Sequence, residues 1–147
     1  MPAHELTDER MAKIEAEIPK MSNLVDRSKL ILFIKNDLMC DHEIFTTLVE
    51  KLTLNFNDLQ AFRLTAPENL KDLGLLAHRL KSGCRSFAAV GLVQEILAIE
   101  DAAKTENQAA ALQHLQAAVN LIEPTLTEIQ DIYTTEFRTL SISATKS

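Results

Sequence analysis

Among the residues of this sequence, His78 has the neighbours that most favour a reactive side chain. It lies in the run Ala77-His78-Arg79-Leu80-Lys81-Ser82-Gly83-Cys84 of a predicted helix. A helical wheel places His78 about 150° from the centre of the apolar stripe, so its imidazole should stand in water. Gly74 and Ser82, one turn before and one turn after it, are small and would leave the ring accessible. A neutral imidazole is a nucleophile at physiological pH, so the residue could accept a group from a partner.

Cationic side chains share the helix face of His78. Lys81 and Arg85 follow it by about one and two turns, and Lys71 precedes it by two. An anion attached to the ring would be held there by charge-assisted hydrogen bonds, so the face favours phosphate. Considered alone, such residues more often form a solvated basic face, and this alternative stays open for Arg85.

Two further features of this helix point to a partner. Leu75 lies about 60° beyond His78 on the wheel and should be exposed, which suits an apolar docking surface. A glycine inside a helix costs about 0.8–1.0 kcal/mol relative to alanine, so both glycines here call for a steric reason. Gly83 could allow a neighbouring helix to pack closely. For Gly74, on the His78 face, access for the partner is the simpler reason.

The apolar spacing elsewhere predicts the helices that position this face. It predicts short helices at 6–18 and about 30–38, a long helix from 42 to about 63 capped by Asp41, and a helix at about 90–104. Capping-box patterns at Thr65-Ala66-Pro67-Glu68 and Thr105-Glu106-Asn107-Gln108 predict two more helix starts, the first at about residue 66 for the His78 helix. That helix should weaken near Ala88 to Gly91, and Pro124 can kink the last one.

These helices predict an all-α fold, an antiparallel up-and-down four-helix bundle with additional short N-terminal helices packed across an end or a side. The predicted divisions are an N-terminal helical appendage over 1–25, the bundle over 26–137 and a frayed tail over 138–147. Cys84 and the phenylalanines Phe45, Phe56, Phe62 and Phe87 fall at helical spacing and are predicted to lie in the core.

Composition narrows the classes of function. The chain has 147 residues, 46% hydrophobic and 24% charged, which is typical of one globular domain. Its three glycines are scattered, so no phosphate-cradling loop for ATP is visible. The net charge of −6 argues against nucleic-acid binding, although residues 1–85 hold 12 basic and 13 acidic side chains and residues 86–147 only 3 and 8. The basic residues therefore cluster upstream of residue 86.

Metal, disulfide and membrane chemistry are not indicated. Cys40 and Cys84 are 44 residues apart without a CxxC motif, which favours reduced thiols in the cytoplasm. His4, His42 and His114 have no partner at helix-face spacing for a metal pair. No secretory signal or membrane-spanning run is seen, and a cytoplasmic location is expected.

The run from Ala77 to Cys84, followed by Leu92, Ile99 and Glu100, resembles the histidine-containing phosphotransfer (HPt) domains of multistep phosphorelays. The resemblance covers roughly residues 28–135. Two departures are Ser82, where the family usually has glycine, and Ala88, where it often has glycine. The first leaves access to His78 plausible, and the second affects how sharply the helix ends.

The resemblance implies a four-helix bundle in which His78 accepts a phosphoryl group from a receiver-domain aspartate and passes it to another receiver. It implies that Lys81 holds the phosphoryl oxygens, with Arg85 as a further electrostatic candidate. The chain would need no cofactor of its own, because Mg²⁺ and the acidic cluster would belong to the receiver. Partners would be response-regulator receiver domains or a hybrid histidine kinase, and the chain a monomer. Partner contacts are expected at Lys71, Gly74, Leu75, Arg79 and Ser82.

Two alternatives stay open. The same bundle could bind a receiver or histidine kinase as a scaffold or inhibitor without carrying phosphate. It could also belong to an enzyme, such as the dimerisation part of a histidine kinase or a phosphatase. A kinase would need an ATP domain, which this sequence lacks, and a two-helix dimer hairpin, which a chain of five or six helices makes unnecessary.

Overall fold

The computed structural model describes residues 24–146, with side chains described as far as residue 137. The predicted helix at 6–18 therefore lies outside the described residues. The described residues form five helices. They are α1 (Arg27–Leu32, continued by a π-helical turn at Phe33–Asp37), α2 (His42–Ala61), α3 (Leu70–Ser86, after a 3-10 turn at Pro67–Asn69), α4 (Val90–Lys104) and α5 (Gln108–Lys146). The described residues contain no strand, so the all-helical prediction is confirmed.

Helix α3 lies between α2 and α4, and α5 contacts α1, α2 and α4. Along the α3/α4 contact, Gly74 lies opposite Ala103 while the later residue His78 meets the earlier residue Glu100. Such pairing is typical of antiparallel neighbours joined by a short connection. The up-and-down order of the whole bundle stays a prediction.

The start of α2 follows the sequence prediction. The Asp41 carboxylate accepts a hydrogen bond from the Ile44 backbone N–H at 3.0 Å, which satisfies one of the free donors of the first turn. Asp26 caps α1 in the same way through the Lys29 N–H at 3.2 Å. Both residues have extended backbone, the conformation that an N-cap requires.

The two predicted capping boxes are wrong. At the first, Pro67–Asn69 form a 3-10 turn and the α-helix begins only at Leu70. There the Asn69 side chain donates to the Arg63 carbonyl at 2.7 Å and accepts from the Ala66 N–H at 3.4 Å, which holds the turn in place of Thr65.

At the second, Asn107 is the cap, accepting from the Ala110 N–H at 3.0 Å. The Thr105 hydroxyl instead donates to the Asp101 carbonyl at the end of α4, 3.0 Å away. At the second place an asparagine, Asn107, replaces the threonine that the pattern favoured, and asparagine is at least as good a cap, whereas the Asn69 side chain makes no capping hydrogen bond to α3.

The His78 helix ends where the sequence weakens. Phe87 caps α3, Ala88 has φ of 55°, and the Ala89 N–H donates to the Cys84 carbonyl at 2.8 Å. The left-handed conformation of Ala88 ends the helix. This conformation costs a non-glycine residue about 1–2 kcal/mol, a cost that glycine does not have. The chain therefore turns sharply into α4 without the glycine.

The apolar face of α3 lies in the core as predicted. Leu73, Ala77, Leu80 and Cys84 are buried, and burial raises the pKa of the Cys84 thiol to about 12. The phenylalanine prediction is confirmed for three residues, Phe45, Phe56 and Phe87, whereas Phe62 is only half-buried. A core thiol with such a pKa is an inert packing group.

The last helix extends beyond the predicted bundle. Its backbone is helical through Pro124 and on to Lys146, and the fraying predicted from residue 138 stays a prediction. Ser, Thr and Ala are tolerated in helices. The boundaries at residues 25 and 137 stay predictions. None of the helices among the described residues is long and apolar enough to cross a membrane.

Candidate functional site

The imidazole of His78 points away from the core of the bundle. Its side chain is 70% exposed, in the middle of α3, whereas Ala77 beside it is buried. The predicted orientation of His78 is therefore the observed one. The helix fixes the position of the ring, because its other face is anchored by the core.

One edge of this ring contacts a carboxylate on the neighbouring helix. His78 Nδ1 is 3.2 Å from Oε2 of Glu100, on α4. A carboxylate only accepts hydrogen bonds, so the neutral ring carries its proton on Nδ1. The lone pair of the ring then lies on Nε2, which is the nitrogen left for reaction.

Lys81 contacts the same carboxylate as His78, and these two residues and Glu100 form a cluster. Its Nζ is 3.0 Å from Oε1 and 3.3 Å from Oε2 of Glu100, so one carboxylate contacts both the lysine and His78. The Lys81 side chain is only 21% exposed and that of Glu100 only 13%. Lys81 is therefore tucked under the ring against α4, rather than extended into water along the helix face.

The Glu100 carboxylate is kept ionised by its neighbours. Desolvation is the largest single effect and would raise its pKa, but the hydrogen bonds from Lys81 and His78, the positive charge of Lys81 and that of His78 when its ring is protonated together outweigh it. The pKa of Glu100 ends below the ordinary value of a glutamate. An ionised acceptor is what the Nδ1–H tautomer of His78 requires.

Glu100 is the residue of this cluster to which sequence reasoning assigned no role. The sequence placed it twenty-two residues after His78 as part of a family pattern only. Its contact depends on how α4 packs against α3, which a single helical wheel does not show. The signal available beforehand was its position on a second amphipathic helix predicted to run beside the first.

The structure gives Gly74 a packing role that the sequence did not suggest, and access of a partner to His78 stays a prediction. A Cβ atom at Gly74 would lie 2.8 Å from Cβ of Ala103, closer than side-chain carbons approach each other. Gly74 therefore allows α3 and α4 to pack closely near His78, and its absence of a side chain serves packing first. At Gly83 a Cβ would lie 3.1 Å from Cδ1 of Leu52, so the packing role predicted there is supported.

A groove of about 520 Å³ opens beside His78 along the contact of α3 and α4. The α3 side contributes Lys71, Gly74, Leu75 and His78, and the α4 side contributes Glu100, Ala103 and Lys104, followed by Glu106. Leu75 is 61% exposed, as predicted. The groove therefore places His78 beside an apolar side chain and two lysines.

The remaining predicted residues lie outside this groove. Arg79 forms an ion pair with Asp58 of α2 at 2.8 Å. Ser82 lines a separate groove between α2 and α3. Arg85 is exposed two turns beyond His78 and has no ion pair within the described part of the chain. The structure thus gathers Lys71, Gly74, Leu75, His78 and Lys81 around one place and leaves these three on its flank.

The other described histidines have structural partners. His42 Nδ1 lies 2.8 Å from the Tyr133 hydroxyl, and His114 Nδ1 lies 2.7 Å from Glu95 Oε2. His4 lies outside the described residues. From residue 24 onward, no group of three or more histidine, cysteine or acidic side chains is arranged to hold a metal ion.

Comparison with known proteins identifies the family. The model of the Hpt domain matches residues 43–132, which include all of α2 but its first residue, the whole of α3 and α4, and more than half of α5. The matched segment contains His78, Lys81 and Glu100. No curated protein and no solved structure gave a match. An exposed histidine on a bundle helix and a family match over more than half of the sequence lead to one conclusion: the chain belongs to the Hpt domain family.

Proposed function

We propose that this protein carries a phosphoryl group on His78 between receiver domains of a two-component phosphorelay. Membership of the Hpt domain family supports a phosphotransfer role and receiver domains as partners. The observation that carries the assignment to His78 is its 70% exposed imidazole, anchored at Nδ1 by Glu100. That anchoring leaves Nε2 both unprotonated and accessible.

The transfer step follows from this tautomer. The Nε2 lone pair attacks the phosphorus of an aspartyl phosphate, the bond from phosphorus to the carboxylate oxygen breaks, and the aspartate leaves as a carboxylate. The ring gains positive charge while its proton stays on Nδ1. The Glu100 carboxylate stabilises that charge, and the reverse step returns the group to the aspartate of a second receiver.

Lys81 supplies positive charge to the phosphoryl group. Its Nζ lies within 3.3 Å of both Glu100 oxygens, one helical turn from His78. A phosphoryl group on Nε2 would compete with Glu100 for this ammonium, because it carries more negative charge. The Mg²⁺ and the acidic cluster that phosphoryl transfer to aspartate requires are assigned to the receiver, so the chain works without an ATP site of its own.

The groove beside His78 is the proposed docking surface. Leu75 offers an apolar contact at its edge, and Lys71 and Lys104 place positive charge on its two sides. The acidic active face of a receiver is complementary to these charges, which speeds encounter more than it tightens the complex. Arg79, Ser82 and Arg85 flank the groove and are proposed as peripheral contacts.

The test is labelling by a receiver phosphorylated on its aspartate. His78→Gln should abolish the acid-labile, base-stable label while leaving helical content and melting temperature unchanged, because the side chain is exposed. His114→Gln is the matched control and should be labelled normally. Label retained by His78→Gln removes His78 from the reaction. A wild-type chain that binds receivers but takes no label would instead be a scaffold or inhibitor.

A further inference from the structure

Another groove, which shares no lining residue with the one beside His78, lies between α1 and α5. It encloses about 560 Å³ and is lined by Leu24 and Arg27 on one side and by Pro124, Thr127, Glu128 and Ile132 on the other. Leu24, Pro124 and Ile132 give it an apolar floor. An open apolar groove of this size on a small bundle calls for an occupant.

The chain itself supplies a candidate at the mouth of this groove. Leu24, the first described residue, is part of the wall, and 23 residues precede it. Their sequence predicts an amphipathic helix at 6–18 with Leu6, Met11, Ile14 and Ile18 on one stripe. Such a stripe needs an apolar surface to cover it, because a short helix is marginal by itself in water.

The length of the groove agrees with the length of the predicted N-terminal helix. The α5 lining runs from residue 123 to residue 135, about 18 Å at 1.5 Å per residue. A helix over residues 6–18 would be about 20 Å long. The five residues between 18 and Leu24 can span about 17 Å when extended, enough to turn the segment back along α5.

Charge also agrees at the rim. Glu123, Glu128 and Asp131 line the groove, while Arg27 is bonded to Glu136 outside it. Oε2 of Glu128 is buried with no hydrogen-bond partner in the part of the chain that the structure describes. Burial raises the pKa of Glu128, with Arg27 opposing and Asp131 reinforcing the rise. Despite the nearby charge of Arg27, this oxygen lacks a hydrogen-bond donor among the described residues.

We propose that residues 6–18 dock as a helix in the α1/α5 groove of the same chain, with the stripe of Ile14 on its floor and Arg10 beside Glu128. On the helical wheel, Arg10 lies about 50° from the centre of the stripe, close enough to border the groove. The N-terminal segment would then be a sixth helix, packed in a groove that shares no lining residue with the one beside His78. The phosphotransfer face stays open.

Amide NMR spectra of the full chain test this placement. Ile14→Asp should shift the resonances of Thr127, Glu128 and Ile132, because a charge on the stripe would expel the helix from the groove. Ala12→Asp makes the same change about 150° from the stripe and should leave those resonances in place. Shifts confined to residues 1–23 in Ile14→Asp would overturn the proposal.

Disulfide trapping separates docking within one chain from docking between two copies. With the exposed Cys40 replaced by serine, Ile14→Cys and Thr127→Cys lie near the middle of their segments, so either helix direction brings them close. Oxidation should give a cross-linked monomer. A cross-linked dimer would show that the groove takes the segment of a second copy, and failure to cross-link would show that it takes neither. Both results contradict the proposal.

Discussion

The Oε2 atom of Glu100 lies 3.2 Å from Nδ1 of His78, across the contact between α4 and α3. The same carboxylate lies 3.0 Å from Lys81 Nζ. One acidic side chain on a second helix thus contacts both His78, the proposed nucleophile, and Lys81. In the proposed reaction Glu100 is a positioning residue, since it would act through His78 and not on the phosphoryl group.

Replacing Glu100 by glutamine should slow phosphorylation of His78 roughly tenfold. The amide oxygen can still accept from Nδ1, but it lacks the charge that stabilises the ring, a difference of about 1.4 kcal/mol for a charged against a neutral acceptor. The ¹⁵N shifts of the imidazole report the tautomer and should move toward a mixture of Nδ1–H and Nε2–H forms. An unchanged rate of phosphorylation would mean that the charge of Glu100 does not act through His78.

Replacing Lys81 by alanine should slow transfer by one to two orders of magnitude without weakening the docking of a receiver. Its ammonium is tucked against Glu100 and is mostly covered, so a docked partner would gain little from it, whereas a phosphoryl group one turn away would. Stopped-flow transfer and binding by calorimetry separate the two effects. Lys51→Ala, on α2, is the control. Equal rates for Lys81→Ala and the wild type would exclude the proposed role.

The sequence predicted the helices more accurately than their ends. Apolar periodicity reports which face of a helix is buried, so it located α2 and α4 to within about two residues. The end of a helix depends on which of several nearby polar side chains bonds a free backbone N–H. Near Thr65 and Thr105 an asparagine side chain accepts that hydrogen bond, and the threonine does not. That choice depends on backbone angles that composition does not reveal.

The site was predicted as far as one helix determines it. The exposure of His78 and Leu75 follows from the wheel of α3 alone. The partner of Lys81 and the neighbour of Gly74 both lie on α4, and they depend on the distance and register between two helices. Contacts of this kind arise from packing, which the pattern of a single segment does not contain.

The pH dependence of stability should carry the signature of Glu100. Its pKa is lower in the folded chain than in the unfolded chain, so the stabilisation is complete above the unfolded value of about 4.3 and is lost as pH falls through the folded value. Urea unfolding of the wild type and of Glu100→Gln between pH 3 and 7 measures it. The difference in free energy of unfolding between the two proteins should be constant near neutral pH and should narrow below about pH 4. A difference that widens in acid would mean that the folded pKa is raised.

Gly74→Ala distinguishes packing from access as the reason for that glycine. Alanine gains about 1 kcal/mol in helix propensity, but its Cβ would meet the Ala103 Cβ at 2.8 Å, and overpacking of this kind costs about 1–3 kcal/mol. The free energy of unfolding of the variant in urea should therefore equal that of the wild type or lie below it.

Removing the opposing methyl group supplies the control. Adding Ala103→Gly to Gly74→Ala relieves the contact, so the pair should show a favourable coupling energy of about 1 kcal/mol in a double-mutant cycle. Additive effects would mean that the helices shift apart freely. If Gly74→Ala instead raised stability as propensity predicts and slowed only phosphotransfer, access to His78 would be the reason for the glycine after all. The cycle thus decides whether the helix contact or the incoming partner excludes a side chain at this position.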